Sequence, residues 1–169
     1  MTSSFAFDTI SLQQIFIRRC FHLEYDYKEA MKLDNQLCFP IYAAARSVIS
    51  AYTPYLKAIG LTYTQYIIFL VLWEKDGLSV GEICKRLMLD SGTLSPVLKK
   101  LRQQGYIEKS QSPADERSFI ITLTENGRAL QEAAKDIPLQ VGKCVNIAPE
   151  KAKQLYDLLY ELLDLTSGQ

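Results

Sequence analysis

The chain has no surplus of charge: nineteen lysines and arginines face nineteen aspartates and glutamates. A net charge of zero offers no global case for a polyanionic partner such as nucleic acid. Histidine occurs once, as His22, and cysteine four times, as Cys20, Cys38, Cys84 and Cys144, with no CxxC pair among them. A zinc site would need these residues to converge from far apart, so neither a metal nor a cofactor is expected. No run reaches the ~18 consecutive apolar residues of a membrane span. The N-terminus lacks the basic-then-apolar layout of a secretory leader, because Arg18 and Arg19 follow an apolar stretch rather than precede it. These absences point to a cytoplasmic protein with reduced thiols and no membrane partner. What the chain does have is apolar material: 48% of 169 residues are hydrophobic, enough for one core of ordinary size.

No internal repeat or low-complexity segment stands out. Residues 1–30 read either as a helix from about Ser11, with Leu12, Ile15, Phe16, Cys20 and Leu23 near one stripe, or as an addition upstream of an internal start at Met31. Both readings stay open. From about Asn35 to Leu56, Leu37, Ile41, Ala44 or Ala45, Val48 and Ala51 or Tyr52 recur at threes and fours, which predicts a long helix. Pro40 suits only its first turn, Pro54 is expected to kink or end it, and Gly60 closes the region. Thr62-Tyr63-Thr64-Gln65 and Ser79-Val80-Gly81-Glu82 read as capping boxes opening a buried helix and a short one. Ser91 reads as the N-cap of a further helix ending at Gly105, with a slight distortion expected at Pro96. Tyr106–Ser110 and Phe119–Leu123 read as two short strands around a polar, proline-containing turn. Thr124 caps a helix to about Ile137. A last helix from Pro149 carries an apolar stripe of Leu155, Leu158, Leu159, Leu162 and Leu163.

Four helices, two strands and two helices give a mainly α fold with a small β-wing. Two short helices across a tight turn, then a hairpin, make a winged helix-turn-helix. It occupies 61–124 of a single domain at 31–169, with 1–30 an extension. The apolar segments at 31–60 and 125–169 then serve as dimerisation helices, and a two-fold homodimer is the expected assembly.

Charge is uneven along this frame. From Lys85 to Arg117 seven bases face four acids, a local surplus of three. On charge alone a solvated helix face is the commoner reading. The helix from Ser91, however, begins with Ser91, Gly92, Thr93 and Ser95, small polar residues that let its N-terminus approach a major groove. Lys99, Lys100 and Arg102 follow, within reach of phosphates. Arg117 at the hairpin tip suits a narrow minor groove, with Asp115 placed to orient its guanidinium. An exposed turn salt bridge explains that pair equally well.

Asp115-Glu116-Arg117-Ser118, with Leu123-Thr124 and Gly127 after it, resembles the wing signature of the MarR family of winged-helix regulators. The run from Leu89 to Leu101 is similar to the recognition helix of that family's peroxide-sensing branch. Asp34-Asn35-Gln36-Leu37-Cys38-Phe39 and Leu61-Thr62-Tyr63-Thr64-Gln65-Tyr66 resemble the same branch, the organic hydroperoxide resistance regulators or OhrR proteins. The resemblance spans about Leu33 to Leu165.

The resemblance implies a repressor that binds double-stranded operator DNA and takes organic hydroperoxides as effector. It implies that Cys38 is the sensing thiol, with hydroxyls around it from Tyr42, Tyr52 and Tyr63. Tyr42 is one helical turn from Cys38, while Tyr52 is fourteen residues on, about 20 Å along a helix, and meets Cys38 only from a partner subunit or through a bend. It also implies a two-cysteine member, in which Cys144 closes a disulfide with Cys38 across the dimer. Chemically, a thiolate is the reactive form of cysteine and a helix N-terminus favours negative charge. Without the resemblance, a lone cysteine is more often a small buried hydrophobe, which is the reading for Cys84. Two alternatives are a thiol peroxidase using Cys38 and Cys144, and a non-redox regulator that binds phenolic ligands.

Overall fold

The computed structural model describes residues 26–112 and 118–166. The helix expected from about Ser11, and Cys20, lie outside these residues, as does the wing tip with Asp115 and Arg117. The chain divides into two compact units between Ser47 and Val48, inside its longest helix.

The first unit holds a one-turn helix α1 (Tyr27–Ala30), a 3-10 turn (Leu33–Asn35) and the first half of α2 (Cys38–Ala58). Asp26 caps α1 by accepting from the Lys28 and Glu29 amides. Asn35 donates to the Glu29 carbonyl at 2.8 Å and Gln36 to the Ala30 carbonyl, so two side chains tie down the segment that leads into Cys38. Pro40 falls in the first turn of α2, where a missing amide costs nothing.

The second unit contains the rest of α2, then α3 (Tyr63–Glu74), β1 (Leu78–Ser79), α4 (Val80–Leu87), α5 (Ser91–Gln103), β2 (Ile107–Gln111), β3 (Phe119–Leu123), α6 (Glu125–Ala134), α7 (Ile137–Val145) and α8 (Pro149–Thr166). The three strands form an antiparallel sheet in the order β1-β3-β2. Register runs from Ile107 opposite Leu123 to Gln111 opposite Phe119, and the two-residue β1 pairs Leu78 with Ile121. Both capping boxes are present, Thr62 with Gln65 and Ser79 with Glu82, each satisfying two otherwise free amides. The core gathers Leu56, Phe69, Ile83, Leu94, Leu101, Ile107 and Ile121 around α3, all at most 2% exposed.

Several expectations are corrected. Pro54 does not end α2, which runs four residues further to Ala58; so near the C-terminus little of the backbone ladder depends on its missing amide. Asp90, not Ser91, is the N-cap of α5. Its Oδ1 accepts from the Thr93 amide at 2.8 Å and its Oδ2 from the Thr93 hydroxyl at 2.7 Å, a stronger, charge-assisted cap than a serine offers. The helix continues through Pro96 to Gln103. Gly105 then stops it at φ +74°, with the Tyr106 amide returning to the Leu101 carbonyl and the Gly105 amide to that of Arg102. The helix from Thr124 ends at Ala134, and a separate α7 begins at Ile137.

The base of the wing is locked to α6. The Thr124 hydroxyl accepts from the Gly127 amide and donates to the Gly105 carbonyl, while the Thr124 amide reaches the Tyr106 carbonyl. The Trp73 indole donates to the Gly127 carbonyl at 3.0 Å. Asp76 accepts from the Leu123 amide and pairs with Arg128. In contrast, α8 buries no residue: Leu158 is 63% exposed and Leu165 70%. In the first half of α2, Phe39 and Tyr42 are likewise exposed. Among the described residues no single helix is long and apolar enough to cross a membrane.

Candidate nucleic-acid interface and thiol sites

α4 and α5 are joined by a tight turn in which Met88 takes a left-handed conformation, φ 52° and ψ 40°. α5 is two-faced. Leu94, Leu98 and Leu101 are buried, while Ser91, Gly92, Thr93, Ser95, Lys99, Lys100 and Arg102 are exposed. All seven residues expected on this helix to approach nucleic acid thus share its outer surface. The spacing of the three leucines decides this, since burying them turns the intervening positions outward. Thr93 has a second duty, because its hydroxyl proton is committed to Asp90. The Thr93 hydroxyl and amide together hold the Asp90 carboxyl below the usual carboxylate range.

Between α5, the start of α4 and the wing lies a cleft of about 700 Å³. Ser95, Lys99 and Arg102 line one wall, Lys109 and Phe119 the other, and Gly81 of the first turn of α4 its end. The Lys109 ammonium sits 3.8 Å from the centre of the Phe119 ring, a cation–π contact that fixes a positive charge over the sheet. Among the described residues none of Lys99, Lys100, Arg102 and Lys109 forms an ion pair. A groove with cations on both walls and a helix N-terminus at its end suits a phosphate backbone. Lys109 was missed by the sequence reading. Its linear signal is a place in the basic stretch from Lys85 to Arg117 and in a strand position diagonal to Phe119, since Lys109 faces Ile121 and Phe119 faces Gln111.

The thiols are distributed as follows. Cys38 is the first residue of α2 and is exposed. Tyr42, one turn on, accepts a hydrogen bond from Arg46 at 3.3 Å, and the Arg46 guanidinium lies 5.5 Å from its ring centre. Within the second unit, Tyr52 and Tyr63 meet edge to face at 5.2 Å, with Tyr66 tilted 5.8 Å from Tyr52. Burial, and then the neighbouring Tyr52, push the Tyr63 hydroxyl above its usual value. Cys84 is half-buried against the core, as expected of a small hydrophobe. Cys144 is exposed on the last turn of α7, and its sulfur lies 3.7 Å from the Tyr55 hydroxyl.

The chain matches the family model of the SarA/Rot transcriptional regulators over residues 50–134, half its length. It is 46% identical over 134 residues to the organic hydroperoxide resistance transcriptional regulator of Bacillus subtilis, an alignment covering 79% of this chain and 91% of that one. Among solved structures it is similar to reduced AbfR bound to DNA, at 36% identity and a TM-score of 0.67 over 82% of this chain and 96% of that one. It is also similar to the disulfide form of AbfR, at 37% identity and a TM-score of 0.56 over 81% and 96% of the two chains. AbfR is a protein of Staphylococcus epidermidis. These relatives are transcriptional regulators and not enzymes, which sets the peroxidase alternative aside. By its capped helix-turn-helix, its three-stranded wing and these likenesses, the chain belongs to the SarA/Rot family of MarR-like winged-helix transcriptional regulators, in the group of organic hydroperoxide resistance regulators.

Proposed function

We propose that the protein is a cytoplasmic, dimeric repressor that releases operator DNA when an organic hydroperoxide oxidises Cys38. The observation that carries this reading is the place of Cys38: an exposed thiol at the first position of a 21-residue helix, in a chain 46% identical to a hydroperoxide resistance regulator. The thiolate is the form of a cysteine that attacks peroxide. The Cys38 sulfur takes the terminal oxygen, the O–O bond breaks, an alcohol leaves and a sulfenic acid remains. Cys144 of the partner subunit then condenses with it, forming the disulfide and releasing water. That AbfR has been solved both reduced on DNA and as a disulfide supports this order of events.

Dimerisation is supported by the unburied stripe on α8, which a lone chain would leave in water. Two copies related by a two-fold would present α5 to successive major grooves and the wings, Asp115 and Arg117 included, to the flanking minor grooves. Tyr42, Tyr52 and Tyr63 would surround the sensing thiol in that assembly, with Tyr52 and Tyr63 supplied across the two-fold. The link from thiol to DNA is mechanical. Cys144 rides on α7, α7 follows α6, and α6 is locked to the wing base through Thr124, Gly127 and the Asp76–Arg128 pair. Pulling Cys144 toward a distant sulfur therefore strains the wing's position and the half-site spacing.

The test is a non-reducing gel and an operator-binding assay after cumene hydroperoxide, on wild type, Cys38→Ser and Cys144→Ser. Wild type should form a linked dimer and lose DNA, and neither variant should form the link. A Cys38→Ser protein that still releases DNA on oxidation overturns the sensing role. A Cys144→Ser protein that still links refutes the pairing.

A further inference from the structure

Three cysteines are described, and Cys144 alone among them has its sulfur within hydrogen-bond range of a side-chain hydroxyl, Tyr55 Oη at 3.7 Å. The two residues are 89 positions apart, on the C-terminal half of α2 and the last turn of α7. Both are held firmly at the backbone. Leu56, next to Tyr55, is 1% exposed, and the Tyr55 ring packs against the core. Val141, three residues before Cys144, is 3% exposed, and Asn146 ends the helix in a left-handed turn with its amide on the Gly142 carbonyl. The phenol is therefore anchored by its ring and presents only its hydroxyl to an exposed sulfur.

We propose that Tyr55 is a positioning residue for the resolving thiol: its hydroxyl hydrogen-bonds the Cys144 sulfur and holds it in place to attack the oxidised Cys38 of the partner subunit. This rests on the reading of Cys38 and Cys144 as sensing and resolving thiols. In the step concerned, the Cys144 thiolate attacks the sulfur of the Cys38 sulfenic acid. The S–S bond forms, the S–O bond breaks, and hydroxide leaves to become water on taking a proton from solvent. The oxidising equivalents come from the organic hydroperoxide, already reduced to its alcohol when the sulfenic acid formed. Tyr55 consumes nothing. It keeps its own proton throughout, because the hydrogen bond to Cys144, and then the sulfur's charge, hold the phenol above its usual value. A phenol that keeps its proton is the donor once the thiol has given up its own to attack, so the bond steadies the sulfur during the attack.

The experiment uses the full-length protein and Tyr55→Phe, which keeps the ring and removes only the hydroxyl. After one equivalent of cumene hydroperoxide, the Cys38 sulfenic acid is trapped with dimedone, and the Cys38–Cys144 disulfide is followed on quenched non-reducing gels. Both rates are measured from about pH 6 to 9, across the ordinary thiol range. Sulfenic acid formation should be unchanged. Disulfide formation in Tyr55→Phe should be roughly three- to tenfold slower at neutral pH, as for loss of one ordinary hydrogen bond. The deficit should shrink as pH rises and the thiol ionises unaided. Identical condensation rates and pH profiles overturn the proposal. So does a slowing that is equal at every pH and accompanied by a lowered melting temperature, which marks a packing role alone. If wild type yields neither a dimedone adduct at Cys38 nor the Cys38–Cys144 disulfide, the sensing reading itself fails, and this proposal with it.

Discussion

Substituting Gly127 by alanine tests whether the wing is rigidly joined to α6. Gly127 is in the first turn of α6, where alanine is ordinarily the better residue by about 1 kcal/mol. Here a Cβ would stand 2.2 Å from the Tyr106 carbonyl oxygen and 3.1 Å from Leu123 Cδ2. Real Cβ contacts essentially never fall below 3.0 Å, so backbone must move. The carbonyl that must give way is the acceptor of the Thr124 amide, and Thr124 is the cap of α6. Overpacking of this kind costs about 1–3 kcal/mol, and weakening the cap and the Thr124–Tyr106 bond adds about 1 kcal/mol each. Against the propensity gain, the net loss is about 3 kcal/mol, or a fall in Tm of about 6–12 °C for a chain of this length. Thermal melts at one fixed protein concentration measure it, since a dimer's Tm depends on concentration. Gly142→Ala is the control: it is in α7, nothing lies within 4 Å of its Cβ position, and it should hold or gain up to about 1 kcal/mol. If Gly127→Ala melts at or above the wild-type temperature, the lock between wing and α6 is not what the geometry indicates.

The Asp90 carboxyl, depressed by Thr93, contributes stability that is complete above the ordinary aspartate range and is lost as pH falls through its lowered value. The Tm gap between wild type and Asp90→Ala should therefore be widest at neutral pH and narrow below about pH 4; a gap independent of pH would show that the charge contributes nothing. Lys109→Ala should weaken operator binding evenly across sequences and reduce the slope of log K against log salt by about one, and an unchanged slope removes Lys109 from the phosphate contacts. Replacing Leu155 and Leu159 together by aspartate should yield a monomer by sedimentation, with operator binding lost. A persistent dimer would move the interface off α8.

Much of the local architecture was legible in the chain. The strand expected at 106–110 is displaced by one residue to 107–111, while both capping boxes, the Thr124 cap, Gly105 as a helix stop and the strand 119–123 depend on residues within a few positions of each other. So does the exposure of Ser91, Thr93, Ser95, Lys99 and Lys100, which follows from the leucine spacing on α5. The cap of α5 is a local feature that the chain pattern misplaces by one residue. Ser91 is expected there, and Asp90 holds the position because its two oxygens engage both the amide and the hydroxyl of Thr93. β1 was invisible, since two residues carry no periodicity, and its strand character exists only through pairing with β3.

The sequence by itself determined the class of the protein: helix order, a winged helix-turn-helix, a cysteine at a helix start and the motifs of a hydroperoxide-responsive regulator. These are statements about neighbours along the chain, set by helical period, caps and turn chemistry. The tertiary structure decided which distant groups meet: Lys109 with Phe119 and the recognition helix across one cleft, Gly127 against Tyr106, and Tyr55 with Cys144 over 89 residues. Such contacts follow from how the core closes around α3, where burial of Phe69, Ile83, Leu101 and Ile121 fixes the elements that carry them.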